Sequence, residues 1–246
     1  MNQQTSDNSN EKPVAPTQRD CPAWFEHMPF ARWGWVELNV YGWPLVVAIL
    51  LLLLILCGPW RWLAIIPAAL LVQVLYFFRD PPRRVPDAPN AIVAPADGKV
   101  VEVTPIDHYD FFDGPAVRIG IFLSIFNVHI NRSPSASRVV AMDYQPGKFL
   151  NAMDPASATQ NEFMWIGFDS LEKPGRRFVV RQIAGLIARR IVCPLTVGQA
   201  VPRGLKFGMI KFGSRTELIL PAGDAEIVTK VGDKIRAGSD IVARWK

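Results

Sequence analysis

A serine preceded by a glycine is the first feature of this sequence that could carry chemistry. Gly213-Ser214 lies between two apolar segments, residues 207–212 and 218–220, which the pattern predicts to be the strands of one hairpin. Glycine permits the distorted backbone that a serine hydroxyl needs to reach the preceding carbonyl carbon. The same dipeptide recurs at Gly238-Ser239, so the two residues alone predict only a turn.

One aspartate and one histidine could assist such a nucleophile. Asp97 lies in the segment APADG, where an Asp-Gly turn either points its carboxylate inward or leaves it in solvent. Of the three histidines, His27 and His108 have polar or N-terminal surroundings and are expected at the surface. His129 lies in an apolar run, which predicts either a buried core histidine or a general acid or base, because an imidazole pKa is matched to neutral pH.

Residues 86–246 must form the folded domain that positions these side chains. Beyond Pro86, short segments of β-forming residues alternate with Gly, Pro, Asp and Asn, and little of the chain keeps a helical period. The segments predicted to be strands are 98–103, 117–122, 138–142, 162–168, 178–183, 206–211, 216–220, 225–228 and 241–244. The prediction is a mainly β domain.

An internal repeat refines this fold prediction. VGQAVPRG at 197–204 and VGDKIRAG at 231–238 share the pattern V-G-x-x-[VI]-x-x-G, which suits two tight turns that bracket a short strand. With the segment 94–100, the repeat resembles the barrel-sandwich of biotinyl and lipoyl carrier domains. Those domains modify a lysine at a hairpin tip, whereas the comparable hairpin here, residues 211–217, contains Ser214. Carrier activity is therefore not expected.

Two apolar runs without formal charge, residues 42–57 and 62–78, precede the β domain. Each is at the short limit for a bilayer span, so they predict a helical hairpin that is either transmembrane or re-entrant. Aromatic residues at the flanks suit the headgroup level, and Arg79, Arg83 and Arg84 place the following domain on the cytoplasmic side of the cell (inner) membrane. A buried core hairpin is the alternative, but so short a chain has little else to cover it.

The N-terminal region is expected to divide into a tail and an interfacial segment. Residues 1–18 are rich in Asn, Gln, Ser, Thr and Pro, which predicts disorder, and they lack the pattern of a secretory signal. Residues 19–41 are predicted to be amphipathic and interfacial. The hairpin with its basic flank, 42–85, and the β domain, 86–246, complete the predicted organisation.

Charge and cysteine content limit the partners. A net charge of +5 and a pI of 9.3 favour an anionic lipid surface, where each nearby Lys or Arg contributes about 1 kcal/mol. Nucleic acid binding is not expected, because the arginines are scattered and no helix concentrates them beside aromatic residues. Cys21, Cys57 and Cys193 are odd in number and widely spaced, which predicts a reduced protein with no disulfide framework and no metal site.

Four separated motifs, in the same order, resemble the short, prokaryotic form of phosphatidylserine decarboxylase. They are APADG at 94–98, LSIFNVHINRSP at 123–134, GKFLNA at 147–152 with Asn161-Glu162, and FGMIKFGSRTE at 207–217. The resemblance spans about residues 76–244. Four motifs together are much more specific than any one of them.

The resemblance implies a pro-enzyme that cuts itself. Ser214 would attack the Gly213 carbonyl, and the resulting ester would eliminate to dehydroalanine, which loses ammonia to leave a pyruvoyl group. This pyruvoyl group would be the cofactor: it would form a Schiff base with phosphatidylserine and accept electrons as carbon dioxide leaves, so that phosphatidylethanolamine is formed. The two chains, 1–213 and 214–246, would remain together as a heterodimer, and a higher oligomer stays open.

The resemblance also implies roles for single residues. It places Asp97 in the self-cleavage machinery and makes His129 a general acid or base near the pyruvoyl group. Longer relatives have a second histidine where Arg132 lies, and arginine does not lose its proton. Either His129 serves both stages, or Arg132 only binds substrate charge. Lys148 and Arg138 are further candidates for binding the phosphate.

Two alternative functions stay open. The same chemistry would decarboxylate a phosphatidylserine analogue with ether-linked or otherwise unusual tails, because only the serine headgroup reacts. A protein of a different class, a membrane-tethered binding module on a carrier-type barrel, would leave Ser214 inert and the chain uncut.

Overall fold

The structure is a computed structural model that describes residues 29–55, 58–151, 154, 156–186, 190–211 and 214–246. The predicted tail and residues 19–28 of the predicted interfacial segment lie outside these ranges, as do His27, Cys21, Cys57 and Gly213.

A helical hairpin forms where the sequence has its two apolar runs. A 3-10 turn, Arg32–Gly34, leads into helix α1, Trp35–Ile55, and a 3-10 segment, Gly58–Ala64, leads into helix α2, Ile65–Phe77. The two spans of 24 and 18 residues have mean hydropathies of 2.3 and 1.6 and are long and apolar enough, by length and composition, to cross a bilayer. Only 11% of each span is buried, so the described chain does not cover this hairpin as a soluble core would.

The rest of the described chain is mainly β. Its strands are β1 Ala91–Val93, β2 Gly98–Tyr109, β3 Gly114–Leu123, β4 Ile130–Arg132, β5 Ser137–Gln145, β6 Phe163–Ser170, β7 Arg177–Ile183, β8 Ile191–Val192, β9 Ala200–Val201, β10 Lys206–Ile210, β11 Ser214–Pro221, β12 Ala225–Ile227, β13 Lys234–Ile235 and β14 Ile241–Trp245. One short helix, α3 Ser157–Gln160, precedes β6. Every strand predicted from the sequence is confirmed, while the short β1, β4 and β8 were missed.

An antiparallel sheet of eight strands, in the order β13-β2-β3-β11-β7-β6-β5-β9, forms the larger layer. Two three-stranded sheets, β1-β14-β12 and β4-β10-β8, contribute to the same hydrophobic core. Side chains alternate along β11, so that Leu218 and Leu220 pack into this core while Ile219 packs on the opposite face. The predicted barrel-sandwich-like β domain behind an N-terminal helical hairpin is confirmed.

The two copies of the internal repeat supply the two edge strands of the large sheet. Gly198 and Gly204 bracket β9, which pairs with β5, whereas Gly232 and Gly238 bracket β13, which pairs with β2. All four glycines have a positive φ, from 72° to 101°, a region that favours glycine. The predicted pair of tight turns around a short strand is therefore confirmed in both copies.

The predicted hairpin around Gly213-Ser214 is wrong. Strand β10 pairs with β4 and β8, whereas β11 pairs with β3 and β7, so the strands on either side of this bond belong to different sheets. Both strands are almost entirely buried, and a strand covered on both faces has no polar alternation that would reveal its partner. The bond to Ser214 therefore lies where the chain passes between two layers of the domain.

The helical hairpin packs against the end of the β domain that contains Ser214. An apolar cluster joins Phe77 and Phe78 of the hairpin to Val128, Ile130 and Met209 of the β domain. Glu37 of α1 also forms an ion pair with Lys211, the residue that directly follows β10. These contacts hold the base of the hairpin against the chain that leads to Ser214.

Candidate active site

Ser214 is the first residue of β11 and is fully buried. It pairs in register with Leu123, the last residue of β3. Its hydroxyl has no hydrogen-bond partner among the described residues, although buried hydroxyl groups are nearly always paired. An unpaired serine hydroxyl at this position is free to act as a nucleophile on the preceding carbonyl.

His129 directly precedes β4 and is also fully buried. Its ring lies 4.4 Å, centroid to centroid, from the ring of Phe77. Its Nδ1 lies 3.0 Å from the Asn127 carbonyl oxygen, which assigns the proton to Nδ1, while Nε2 has no partner among the described residues. A buried imidazole with this tautomer presents a bare Nε2 lone pair that can accept a proton.

Burial is the main reason that His129 is uncharged. Desolvation lowers its pKa to about 4, the hydrogen bond to the Asn127 carbonyl opposes this change, and the charge of Arg79 adds to it. The ring is therefore neutral at pH 7. The apolar environment predicted for His129 is confirmed, and a neutral ring is the form that a general base requires.

A buried polar network, which sequence reasoning did not identify, lies on the Ser214 face of β11. Thr216 follows Ser214 on this face and accepts a hydrogen bond of 3.0 Å from the Asn131 side chain. Asn131 in turn accepts a 2.8 Å bond from Gln182, whose Oε1 has no partner among the described residues. The only sequence signal was the position of Asn131 in the motif at 123–134; Gln182 and Thr216 read as ordinary strand residues.

Asp97 is buried in the turn between β1 and β2 rather than solvated. Its Oδ2 accepts a 2.6 Å bond from Arg83, and its Oδ1 accepts a 2.8 Å bond from the Ala237 backbone N–H. Desolvation raises the pKa of Asp97, although Arg83 and the Ala237 N–H both favour the carboxylate. Its described hydrogen bonds are to these two groups and not to Ser214 or His129.

A cavity of about 660 Å³ connects Asp97 to the loop that precedes His129. Its lining includes Ser124 and Asn127 of that loop, the basic residues Lys99 and Lys234, and Arg236 paired with Asp240. Lys99 and Lys234 lie directly opposite one another on paired strands, an arrangement in which like charges repel. An anion in the cavity would offset this repulsion. Nothing in the sequence pattern paired these two lysines.

The predicted substrate-binding residues lie in three different places. Arg132 is buried and donates hydrogen bonds to Asp80 and to the Gly204 carbonyl, at 3.3 and 3.1 Å. Lys148 is exposed and bonded to Gln160. Arg138 is exposed on β5, which is separated from β11 by β7 and β6. The structure does not bring these three cations together, and their predicted role stays a prediction.

The two parts of the third motif, at residues 147–151 and Asn161, form a single structure beside the end of β7 nearest Ser214. A Cβ atom on Gly147 would come within 2.5 Å of the Asn161 backbone, so only glycine permits this close approach. The Asn161 side chain bonds both backbone groups of Leu150 and the carbonyl of Ala184, which directly follows β7. The loop between β5 and β6 is thereby fixed to the end of the sheet that contains Ser214.

Comparison with known proteins identifies the family. The family model described as phosphatidylserine decarboxylase matches residues 70–243 of the chain. The chain belongs to the phosphatidylserine decarboxylase family. The match extends from within α2 into the last strand, β14, and includes the four predicted catalytic and cleavage-site residues, Asp97, His129, Gly213 and Ser214.

Individual members of the family match most of the chain. A phosphatidylserine decarboxylase proenzyme of Rhodopirellula baltica is 45% identical over 225 residues, which cover 91% of each protein. The proenzyme of Symbiobacterium thermophilum is 43% identical and covers 82% of this chain and 93% of its own length. The proenzyme of Chlorobium limicola is 40% identical and covers 85% of this chain and 100% of its own length.

Proposed function

We propose that this protein decarboxylates phosphatidylserine to phosphatidylethanolamine and carbon dioxide after cutting itself between Gly213 and Ser214. Membership of the decarboxylase family and the proenzyme names of its relatives support the proposal. The observation that carries it is that Ser214 Oγ and His129 Nε2, buried at the same end of the domain, have no hydrogen-bond partner within the described ranges. Folded proteins rarely leave such atoms without a partner unless they have a chemical task.

In the first stage, Ser214 is the nucleophile. His129 Nε2 accepts the hydroxyl proton as Oγ attacks the Gly213 carbonyl carbon, and the proton passes to the departing nitrogen, which gives an ester. Loss of the α-proton expels the Gly213 carboxylate and leaves dehydroalanine at position 214. Water then displaces ammonia, and a pyruvoyl group begins the chain 214–246. Asp97 is proposed to assist this stage.

In the second stage, the pyruvoyl group derived from Ser214 supplies an electron sink for the decarboxylation. Position 214 suits this group, because it is fully buried on the face of β11 that also carries Thr216, whose hydroxyl bonds Asn131. His129 holds or donates the proton that replaces carbon dioxide. Arg132, Lys148 and Arg138 stay proposed substrate-binding residues, and Lys99 and Lys234 of the cavity beside Asp97 are further candidates for the phosphate.

The helical hairpin is proposed to hold the β domain against the cytoplasmic face of the cell membrane. Its exposed apolar spans and the basic residues that follow them support this placement. After cleavage, the two chains are proposed to remain a heterodimer, because β11 is paired on both sides by strands of the chain 1–213. The substrate would then reach the site without leaving the bilayer.

The proposal is tested by assaying the purified full-length protein with vesicles that contain phosphatidylserine labelled at the carboxyl carbon of its serine headgroup. Release of labelled carbon dioxide and formation of phosphatidylethanolamine are expected, and Ser214→Ala should abolish both. Ser239→Ala, in the second Gly-Ser pair, is the matched control and should behave as the unchanged protein.

Two results would contradict this proposal. Full activity of Ser214→Ala would remove Ser214 from the chemistry, and a stable, uncut protein without activity would favour the binding module instead. Vesicles with ester-linked or ether-linked tails distinguish phosphatidylserine from its analogues as substrate.

A further inference from the structure

The loop between β3 and β4 presents two large apolar side chains to its surroundings. Ile125 is 38% exposed and Phe126 is 60% exposed. They are neighbours in the chain, and His129 lies three residues after Phe126 in the same loop. Single exposed apolar residues are ordinary, but an adjacent pair beside a catalytic group needs an explanation.

The loop holds these side chains outward in a defined turn. The Asn127 side chain accepts hydrogen bonds from the Ser124 backbone N–H, at 2.9 Å, and from the Ser124 hydroxyl, at 2.7 Å. The Asn127 N–H donates back to the Ser124 carbonyl at 2.9 Å. This closed turn leaves Ile125 and Phe126 at its tip, so their exposure is a property of the fold.

Side chains of the helical hairpin donate hydrogen bonds to the two backbone carbonyl groups at the tip of the loop. Gln73 of α2 donates a 3.3 Å hydrogen bond to the Ile125 carbonyl, and Arg79 donates a 2.8 Å bond to the Phe126 carbonyl. Unpaired carbonyl groups oppose entry into a bilayer, because lipid tails offer them no donor. With both carbonyls paired, the apolar tip can enter the edge of a bilayer without leaving these groups unsatisfied.

The part of the hairpin beside this loop has the features of a membrane interface. Tyr76 is 46% exposed, and the Arg79 guanidinium lies 3.7 Å from the centre of its ring. An aromatic ring with a polar end and a cation favour the headgroup level, the cation through attraction to anionic lipids. The loop tip therefore lies beside the predicted boundary between lipid and water.

We propose that Ile125 and Phe126 insert into the same leaflet as this end of the helical hairpin and hold the site end of the β domain on the bilayer surface. The proposal rests on the proposed membrane location of the hairpin and not on the decarboxylation chemistry. Because the same loop leads directly to His129, contact with lipid places the base beside the headgroup layer.

Insertion is measured with an environment-sensitive fluorophore on single cysteines in the full-length protein, after Cys21, Cys57 and Cys193 have been changed to alanine. The test position is Phe126→Cys. Leu54→Cys, 81% exposed on α1, reports on the hairpin. Leu171→Cys is the matched control: it is 50% exposed and follows β6 at the end of the sheet away from Ser214.

Vesicles of anionic phospholipid with spin-labelled acyl chains supply the quencher. The label at 126 should be quenched about twofold or more by shallow spin labels, since interfacial side chains reach roughly 5–10 Å into the headgroup and acyl boundary. The label at 54, on the membrane hairpin, should be quenched by spin labels placed along the acyl chains. The label at 171 should be unaffected. In the unchanged protein, a photoreactive lipid should label the peptide that contains Phe126 and not the peptide that contains Leu171.

Each other result overturns the proposal. Quenching at 54 without quenching at 126 would leave the hairpin in the membrane and remove the loop from it. Absence of quenching at both positions would refute the membrane location as well. A label at 126 that is shielded from water but not quenched by lipid would mean that protein, such as a second copy of the chain, covers the loop.

Discussion

A buried serine hydroxyl, which has no hydrogen-bond partner in the part of the chain that the structure describes, and a buried neutral imidazole lie at one end of this domain. Each would be unfavourable in a purely structural core, because an unpaired buried polar group costs about 1–3 kcal/mol. Their presence together supports the assignment of Ser214 as nucleophile and His129 as base. The assignment leads to two predictions at the scale of single residues.

The first residue-scale prediction concerns the Nε2 atom of His129. His129→Gln removes the proton acceptor, so we expect self-cleavage and decarboxylation to slow by about a hundredfold to ten-thousandfold, the usual effect of losing a general base. The rates are measured by gel densitometry and by release of labelled carbon dioxide. His108→Gln is the control, since His108 has an exposed side chain. Equal rates in the two variants would exclude His129 from the mechanism.

The second residue-scale prediction concerns pH. Burial lowers the pKa of His129 to about 4, so the ring stays unprotonated well below the ordinary histidine pKa of about 6.5. Self-cleavage of the uncut protein, in which His129 acts as a base, should therefore slow on the acid side with a midpoint near pH 4. A midpoint near 6.5 would contradict the buried, neutral state of the ring.

The same pKa affects stability, so the pH experiment needs a control. The unfolded chain takes up a proton near pH 6.5 and the folded chain only near pH 4, and the contribution of His129 to stability is lost as the pH falls through this window. From the size of the pKa change, the loss is about 3 kcal/mol. Circular dichroism at each pH establishes that the protein is still folded where its activity is measured.

At this scale, the sequence predicted the residues with distinctive chemistry and missed the polar groups around them. Ser214, His129 and Asp97 belong to motifs, and each is buried as a reacting group would be. Gln182 and Thr216 were missed because a polar residue in a strand gives no signal until the opposing layer is known. The partners of Arg132, in turn, come from parts of the chain more than fifty residues away.

At the scale of elements, β11 is held from its outer face by a network of buried charges. Arg215 pairs with Glu102 of β2 and with Glu217, and Glu217 pairs with Arg181 of β7. Arg215 and Glu217 belong to the chain that cleavage would release, whereas Glu102 and Arg181 belong to the chain 1–213. The network therefore joins the start of β11, in the chain 214–246, to strands of the chain 1–213.

The element-scale prediction is that Arg215→Met destabilises the protein far more than Arg177→Met. Loss of one partner from a buried ion pair costs about 3–5 kcal/mol, and Arg215 is almost fully buried. Arg177 pairs with Asp169 in solvent, where such pairs contribute about 0–1 kcal/mol.

Both Arg variants should be made with Ser214→Ala, so that one uncut chain unfolds, and compared by thermal unfolding in detergent. Equal shifts of the two midpoints would mean that the buried network does not hold β11.

The elements themselves were predictable where a pattern extended over several residues. The longer strands and the two apolar helices gave such patterns, and the repeated glycines gave the short β9 and β13 turns. The connection from β10 to β11 was not predictable, because both strands are almost entirely buried and the three intervening residues suit a hairpin as well as a crossing between sheets. Strands of two or three residues are too short to show any period.

At the scale of the whole molecule, a helical hairpin, a two-layered β domain and a buried nucleophile meet at one end. The apolar cluster around Phe77 and Met209 and the ion pair between Glu37 and Lys211 connect the hairpin to the chain that precedes Ser214. We infer that the same contacts that place the domain on the membrane also position the bond to be cut. The predicted domain boundaries and the side of the membrane stay predictions.

The central claim is that this chain converts itself into two chains, one of which begins with a pyruvoyl group. The direct measurement is the intact mass of the purified full-length protein after denaturation, with and without hydroxylamine. We expect two chains with the masses of residues 1–213 and of residues 214–246 headed by pyruvoyl, the second of which gains mass with hydroxylamine. A single mass for residues 1–246 that hydroxylamine does not change would contradict the account.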